Sequence, residues 1–310
     1  IQIERIWTAL DASGNTSQDD CVQIITIERV DVFFGGDASY SCDNYDIDDL
    51  TPNLTGYPTA VNYGTCMYDP SYSDQILDAC GGLEKIVRTW TILDWCSGQV
   101  ITVDANGNDN VQVLELTDNQ APTFAAASFD LNADATSCGS TAYLELPAVS
   151  DNCTGLESVQ MFIPGYSELE YVYNSNGNIQ GGFIPAPGIP LGSHELLVTA
   201  IDGCGNASEA TYTITVVDEQ APTPVCHEIL QVSLTSDGTI PVYAISFDDG
   251  SHDNCCISEL QVRKMSDPAY NDYVVFDCSE VGQTIPVIME VTDCYDNTNT
   301  CMINVAVADN

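Results

Sequence analysis

The chain has 310 residues, 46 acidic and 6 basic, for a formal net charge of −40 at pH 7. That balance excludes a nucleic-acid binder, since nothing could neutralise phosphates, and its self-repulsion calls for screening by salt or divalent cations. Hydrophobic residues make up 44%, enough for packed cores, yet no run approaches the roughly 18 apolar residues of a membrane-spanning helix.

In chain order, one phrase recurs four times: IWTALDASGNTS (6–17), TWTILDWCSG (89–98), LVTAIDGCGNAS (197–208) and IMEVTDCYDNTN (288–299). Each is an alternating run that ends in Asp, followed by a turn and a second run. Two second runs close alike, as LTDNQAPTF (116–124) and VVDEQAPTP (216–224), and VADN (307–310) begins the words again. Repetition on this scale points to an array of modules rather than an enzyme. The segments VQIITIERV (22–30), VQVLELT (111–117), YTITVVD (212–218), QVSLT (231–235) and INVAVAD (303–309) alternate and are rich in β-branched residues, which predicts strands. SGN, ANGN, SNGN and SDG supply turns at 13–15, 105–108, 175–178 and 236–238. The predicted class is all-β, with tandem immunoglobulin-like antiparallel β-sandwiches and almost no helix.

The closing phrases set the expected boundaries. Residues 31–119, 120–219 and 220–310 each have the length of one sandwich. Residues 1–30 hold only the phrase that elsewhere makes the last two strands, and a hairpin alone is marginal in water. They are read as the end of an incomplete module. Its other strands come either from a preceding part of a longer polypeptide or from strand exchange between filament subunits. Ile1 is not a natural start and no leader is visible, so the chain reads as a mature or excised piece.

The pattern resembles the HYR-like, immunoglobulin-type repeats of very large surface proteins in Bacteroidota. The middle module carries KIVRTWTILDWC (85–96), similar to the core of those repeats. The last is the nearest match, with PTPVC (222–226), FDDGSHDNCCI (247–257), FDC (276–278), VTDCYDN (291–297) and TCMINVAVAD (300–309). The resemblance spans the chain, and its motifs are specific as a set and weak singly. It implies secretion, often by the type IX route, and roles in adhesion, gliding or extracellular filaments. Partners would then be other copies or neighbouring segments of the same polymer, or a glycan or surface ligand.

Fourteen cysteines with only three histidines, His194, His227 and His252, fit disulfides in an oxidising compartment better than zinc. In the last module Cys226 is paired with Cys301. Cys255 or Cys256 is expected to join Cys278, and the other Cys294; a vicinal disulfide is the alternative. Cys153 is paired with Cys204, which leaves Cys138 over. Cys66 with Cys80 and Cys42 with Cys96 is preferred among three sets in the middle module. Cys21 is expected to bond a strand outside this chain.

Carboxylates crowd the predicted junctions and nearby loops. Asp118, Asp218, Asp151, Asp253 and Asp249 are candidate ligands for Ca2+, which needs six to eight oxygens. Asx-turns are the competing reading. The 1, 3, 5 spacing of Asp104, Asn106 and Asn108 fits a calcium loop, but Gly107 is out of place, which favours a hairpin tip. Asp11, Asp94, Asp202 and Asp293 are read as shaping turns. No GxSxG, HExxH or phosphate-binding loop occurs, so no catalytic residue is assigned. The insert GYPTAVNYGTCMYDPSYSD (56–74) offers Tyr57, Tyr63, Tyr68 and Tyr72 as a candidate ligand or subunit contact, or as rings packed on their own module. The reading that results is a structural segment of an extracellular fibre, disulfide-stapled and stiffened by cations. The alternative is a surface adhesin.

Overall fold

Alternating apolar residues fold here as pleated strands with one buried face. Along Glu84–Asp94 the residues Ile86, Arg88, Trp90, Ile92 and Asp94 turn inward, and their neighbours outward. The computed structural model describes residues 1–27, 30–61 and 67–309. Strand dominates, and helix is confined to single turns such as Ile47–Asp49 and Pro52–Thr55.

Among the described residues, every sheet draws its strands from within 2–26, 31–117, 123–217 or 229–308. The three long stretches share a plan. In the last, strands Ile229–Ser233, Thr298–Ala308, Thr284–Asp293 and Ile257–Lys264 form one sheet in that order, and Thr239–Tyr243 pairs with Tyr273–Asp277 in another. Between them lie Phe247, Phe276, Val262, Val287, Met289, Val291, Ile303 and Val305, all fully buried. The third stretch repeats the four-stranded sheet with Phe129–Asn132, Ala207–Val217, Gly192–Asp202 and Leu156–Phe162. This is an immunoglobulin-like sandwich.

Most neighbours pair antiparallel, as expected, and each stretch adds one parallel pair. In each stretch the first strand of the larger sheet lies parallel to the last: Ala38–Ser41 on Val111–Thr117, Phe129–Asn132 on Ala207–Val217, and Ile229–Ser233 on Thr298–Ala308. A parallel pair needs a long return path, and the rest of the sandwich supplies it. Hairpin spacing in sequence reports only neighbours joined by turns, so it could not show this pair.

The chain divides into two compact units. One comprises Ile1–Thr123, Val149–Ser158 and Ala200–Ser208; the other comprises Phe124–Ala148, Val159–Thr199 and Glu209–Asn310. In the first, Val30, Val32, Phe34, Trp90, Ile92 and Ile101 make one core, and Leu50, Ile86, Leu114 and Leu116 another. Arg88 is buried to 1% exposure and donates to four acceptors. It meets both carboxylate oxygens of Asp74 at 2.8 Å, the Leu50 carbonyl at 2.7 Å and the Thr55 hydroxyl at 2.8 Å. Its guanidinium also lies 4.7 Å from the Tyr72 ring centre.

The hairpin of Gln2–Trp7 with Cys21–Thr26 contrasts with that strand pair. Its register matches Ile3 with Ile25 and Arg5 with Gln23, as Ile86 matches Leu114 and Arg88 matches Gln112. The copies differ in burial. Ile86, Arg88, Trp90, Gln112 and Leu114 are buried, whereas Ile3, Arg5 and Trp7 are exposed, Trp7 by 58%.

Candidate functional site

The site is built from three repeated short-range devices. The first is the Asp that ends each recurring run. Asp202 Oδ1 accepts from the Cys204 and Asn206 backbone N–H groups, and Oδ2 accepts from Asn206 Nδ2. Asp293 does the same with Tyr295 and Asn297, and Asp11 with Ser13 and Asn15. Asp94 uses Cys96 and Ser97. These are Asx-turn staples, as the sequence suggested. Asp104 belongs with them: it holds Asn106 and Asn108, so DANGNDN is a hairpin tip. Burial pushes the Asp202 carboxyl up, but the bonds from Asn206, Cys204 and Gly205 outweigh it and hold it below the ordinary carboxylate value.

The second device is the closing Asp. Asp118 and Asp218 are each 6% exposed. Oδ1 of each accepts from the backbone of Gln120 or Gln220. The turn asparagines grip their carbonyls, Asn206 Nδ2 at the Asp118 carbonyl and Asn297 Nδ2 at that of Asp218, both at 3.1 Å.

The third is an Asp-Asn-Cys turn, at 151–153 and again at 253–255. Asp151 Oδ1 accepts from Cys153 N and Thr154 N; Asp253 Oδ2 accepts from Cys255 N and Cys256 N. The fold brings each turn to a closing Asp. Carboxylate oxygens of Asp118, Asp151 and Asp202 fall within 4.8 Å of one another in the first unit. In the second, those of Asp218 and Asp253 do so, beside Cys255. Four of the five candidate ligands therefore gather in two clusters. Asp249 stands outside both, exposed, with a carboxylate oxygen 3.7 Å from His227 Nδ1.

The cysteines correct several expected pairings. Cys42 bonds Cys153 rather than Cys96, and Cys80 bonds Cys204, so Cys153 and Cys204 are not partners. Cys96 is disulfide-bonded, and Cys66 lies outside the described residues. Cys138 bonds Cys255, while Cys278 is a free, exposed thiol. Cys226 with Cys301 and Cys256 with Cys294 are present. The reason is position. Cys42 follows the strand Ala38–Ser41 and Cys138 precedes Gly139–Ser140, so both lie at strand ends, where an Asp-Asn-Cys turn from later in the chain arrives. Pairing within a predicted boundary ignored that meeting. Spans of 111, 124 and 117 residues are closed in this way. At Cys80–Cys204 the backbones nearly touch. Gly81 has φ +58°, and a Cβ there would lie 2.6 Å from Thr154 Cγ2, so only glycine fits.

Of the tyrosines in the insert, Tyr57 and Tyr72 have ring centres 5.9 Å and 5.4 Å from Trp90, and Tyr68 packs on the same core. Tyr63 lies outside the described residues. The histidines make separate local contacts: His194 with the Pro190 carbonyl, His227 with Asp249, His252 with the Gly250 carbonyl.

No family model matches the chain, and no curated protein does. Among solved structures it is similar to Drosophila N-cadherin EC1-4, at 13% identity over 99% of this chain and 83% of that one, with a TM-score of 0.36. Mouse clustered PcdhgC3 EC1-3 gives 13% identity over 73% and 77%, with a TM-score of 0.36. The human desmocollin-1 ectodomain gives 14% over 100% and 68%, with a TM-score of 0.30. Likeness this remote bears on neither function nor ligand.

Proposed function

We propose that the chain is a structural segment of an extracellular fibre, built of immunoglobulin-like modules at 31–119, 120–219 and 220–310 and of the terminal strands of another at 1–30. The observation that carries this is the leading hairpin. It repeats the register of the Arg88–Trp90 strand pair, but among the described residues nothing covers it. Free Cys21 lies opposite Trp7 on the same face. Its natural cover is the rest of a sandwich from a neighbouring segment or copy of the same polymer. Long-span disulfides suit an oxidising exterior and a load-bearing role, because a bonded module cannot fully extend. Divalent cations, Ca2+ first, would further stiffen the acidic turns of a chain at −40.

A surface adhesin is the second reading, because Tyr57 and Tyr72 lean on Trp90 with one side and stay about half exposed on the other. Reconstruction of native surface polymers tests the proposal. The expected result is an immunoglobulin-like body completed over Ile3, Arg5 and Trp7. A monodisperse particle with that hairpin folded onto its own chain refutes it.

A further inference from the structure

The two acidic clusters look alike in sequence but differ in hydrogen bonding. Asp118 Oδ2 accepts from the Thr154 hydroxyl at 2.8 Å. Thr154 follows the Asp-Asn-Cys turn, and the residue at that place in the second turn is Cys256, which is spent in a disulfide with Cys294. Asp218 therefore lacks the donor that Asp118 has. Its Oδ2 is buried with no hydrogen-bond partner among the described residues. The same is true of Asp253 Oδ1 and Asn254 Oδ1.

The other atoms of these side chains are committed. Asp218 Oδ1 accepts from Gln220 N, and Asp253 Oδ2 from Cys255 N and Cys256 N. Asn254 Nδ2 donates to the Asp134 carbonyl at 3.1 Å and reaches Asp218 Oδ1 at 3.4 Å. That donor fixes the amide so that its oxygen is the unused atom. Burying acceptors without donors is costly, and two carboxylates held this close repel each other. A cation removes both penalties at once.

We propose that Asp218, Asp253 and Asn254 bind one calcium ion, through the three oxygens left without donors, and that the Asp118 cluster does not. The donor set is all oxygen, which selects a hard cation. Cys255 is adjacent, but its sulfur is bonded to Cys138, so no thiolate is present to favour zinc. A carboxylate oxygen of Asp218 and one of Asp253 lie within 4.8 Å of each other, close enough for one ion to touch both, and calcium tolerates the irregular geometry of such a site where magnesium demands a near-ideal octahedron. Water and backbone carbonyls would complete the shell. The inference narrows the cation part of the proposed function to one site. It does not depend on polymer formation, so either can fail alone.

The test is calorimetric titration of calcium chloride into the whole chain after dialysis against EDTA, at 0.15 M salt, with melting curves in calcium and in EDTA. The expected result is one site per chain, a higher melting midpoint in calcium, and at least tenfold weaker binding of magnesium. Asp218→Asn should weaken calcium binding at least tenfold and make the midpoint indifferent to chelator. Glu209→Gln, which removes one charge from an exposed position, should leave both unchanged and so separates the site from diffuse attraction to the chain. Wild-type protein whose midpoint is equal in calcium and EDTA overturns the proposal, whether or not Asp218→Asn folds. So does equal loss of binding in Glu209→Gln, or unchanged binding in a folded Asp218→Asn.

Discussion

Replacing Arg88 by Met tests how the middle core is held and, through its counterpart Arg5, what the leading hairpin lacks. Met keeps most of the stem that packs on Tyr72 and Trp90 but removes every donor. Asp74 loses two bonds of 2.8 Å, and the buried Leu50 carbonyl loses a bond of 2.7 Å. Removing one partner of a buried, hydrogen-bonded ion pair costs about 3–5 kcal/mol. Asp74 keeps 25% of its side chain exposed, so the lower end applies, at about 3 kcal/mol. Urea denaturation followed by circular dichroism reads this as a lowered midpoint of the first transition. The double-mutant cycle with Asp74→Asn isolates the pair and should give coupling above ~1.5 kcal/mol. Arg5→Met removes the same side chain from an exposed face and should stay within about 0.5 kcal/mol of wild type in the isolated chain. Arg88→Met within about 0.5 kcal/mol of wild type, the scatter of surface substitutions, refutes the packing argument. Arg5→Met as harmful as Arg88→Met refutes the uncovered hairpin.

Three more outcomes are expected. Cys42→Ser with Cys153→Ser should lower stability by about 2–4 kcal/mol in urea denaturation, less than the ~5 kcal/mol of an isolated loop of that length because Cys80–Cys204 closes an overlapping one; Cys278→Ser should change nothing measurable. Thr154→Val should leave Asp118 Oδ2 without its donor at a cost of about 1–3 kcal/mol, and calorimetry on that variant should show a second calcium site. The carboxyls of Asp11, Asp104, Asp202, Asp237 and Asp277 are held below the ordinary value of 3.8. A carboxyl lowered in the folded state contributes stability above its unfolded pKa and loses it as pH falls through the folded one. Melting midpoints should therefore hold from pH 7 to 5 and drop below about pH 4, and a midpoint that rises on acidification contradicts these turns.

The all-β class, the recurring run-turn-run hairpins and the Asp-centred turns were legible in the sequence, because each rests on contacts a few residues apart. Asp202 with Asn206 is four residues, and so is Asp293 with Asn297. Alternation likewise marks the inward face of Glu84–Asp94 without any tertiary knowledge. The candidate clusters were half legible. Acid-rich turns announced Asp118, Asp151, Asp218 and Asp253, with Asn254 beside the last, but not the hydroxyl of Thr154 that separates one cluster from the other. A signal was present in the contrast between DNCT and DNCC, yet its meaning requires knowing that the residue after the cysteine faces the closing Asp.

Tertiary structure alone decided the disulfides and the parallel strand pairs. Cys42 finds Cys153 across 111 residues, and Ile229–Ser233 lies beside Thr298–Ala308 only after a whole sandwich has folded between them. Local periodicity fixes which face of a strand is apolar. Which strand ends meet depends on how the intervening layers pack, and no short window of sequence contains that information.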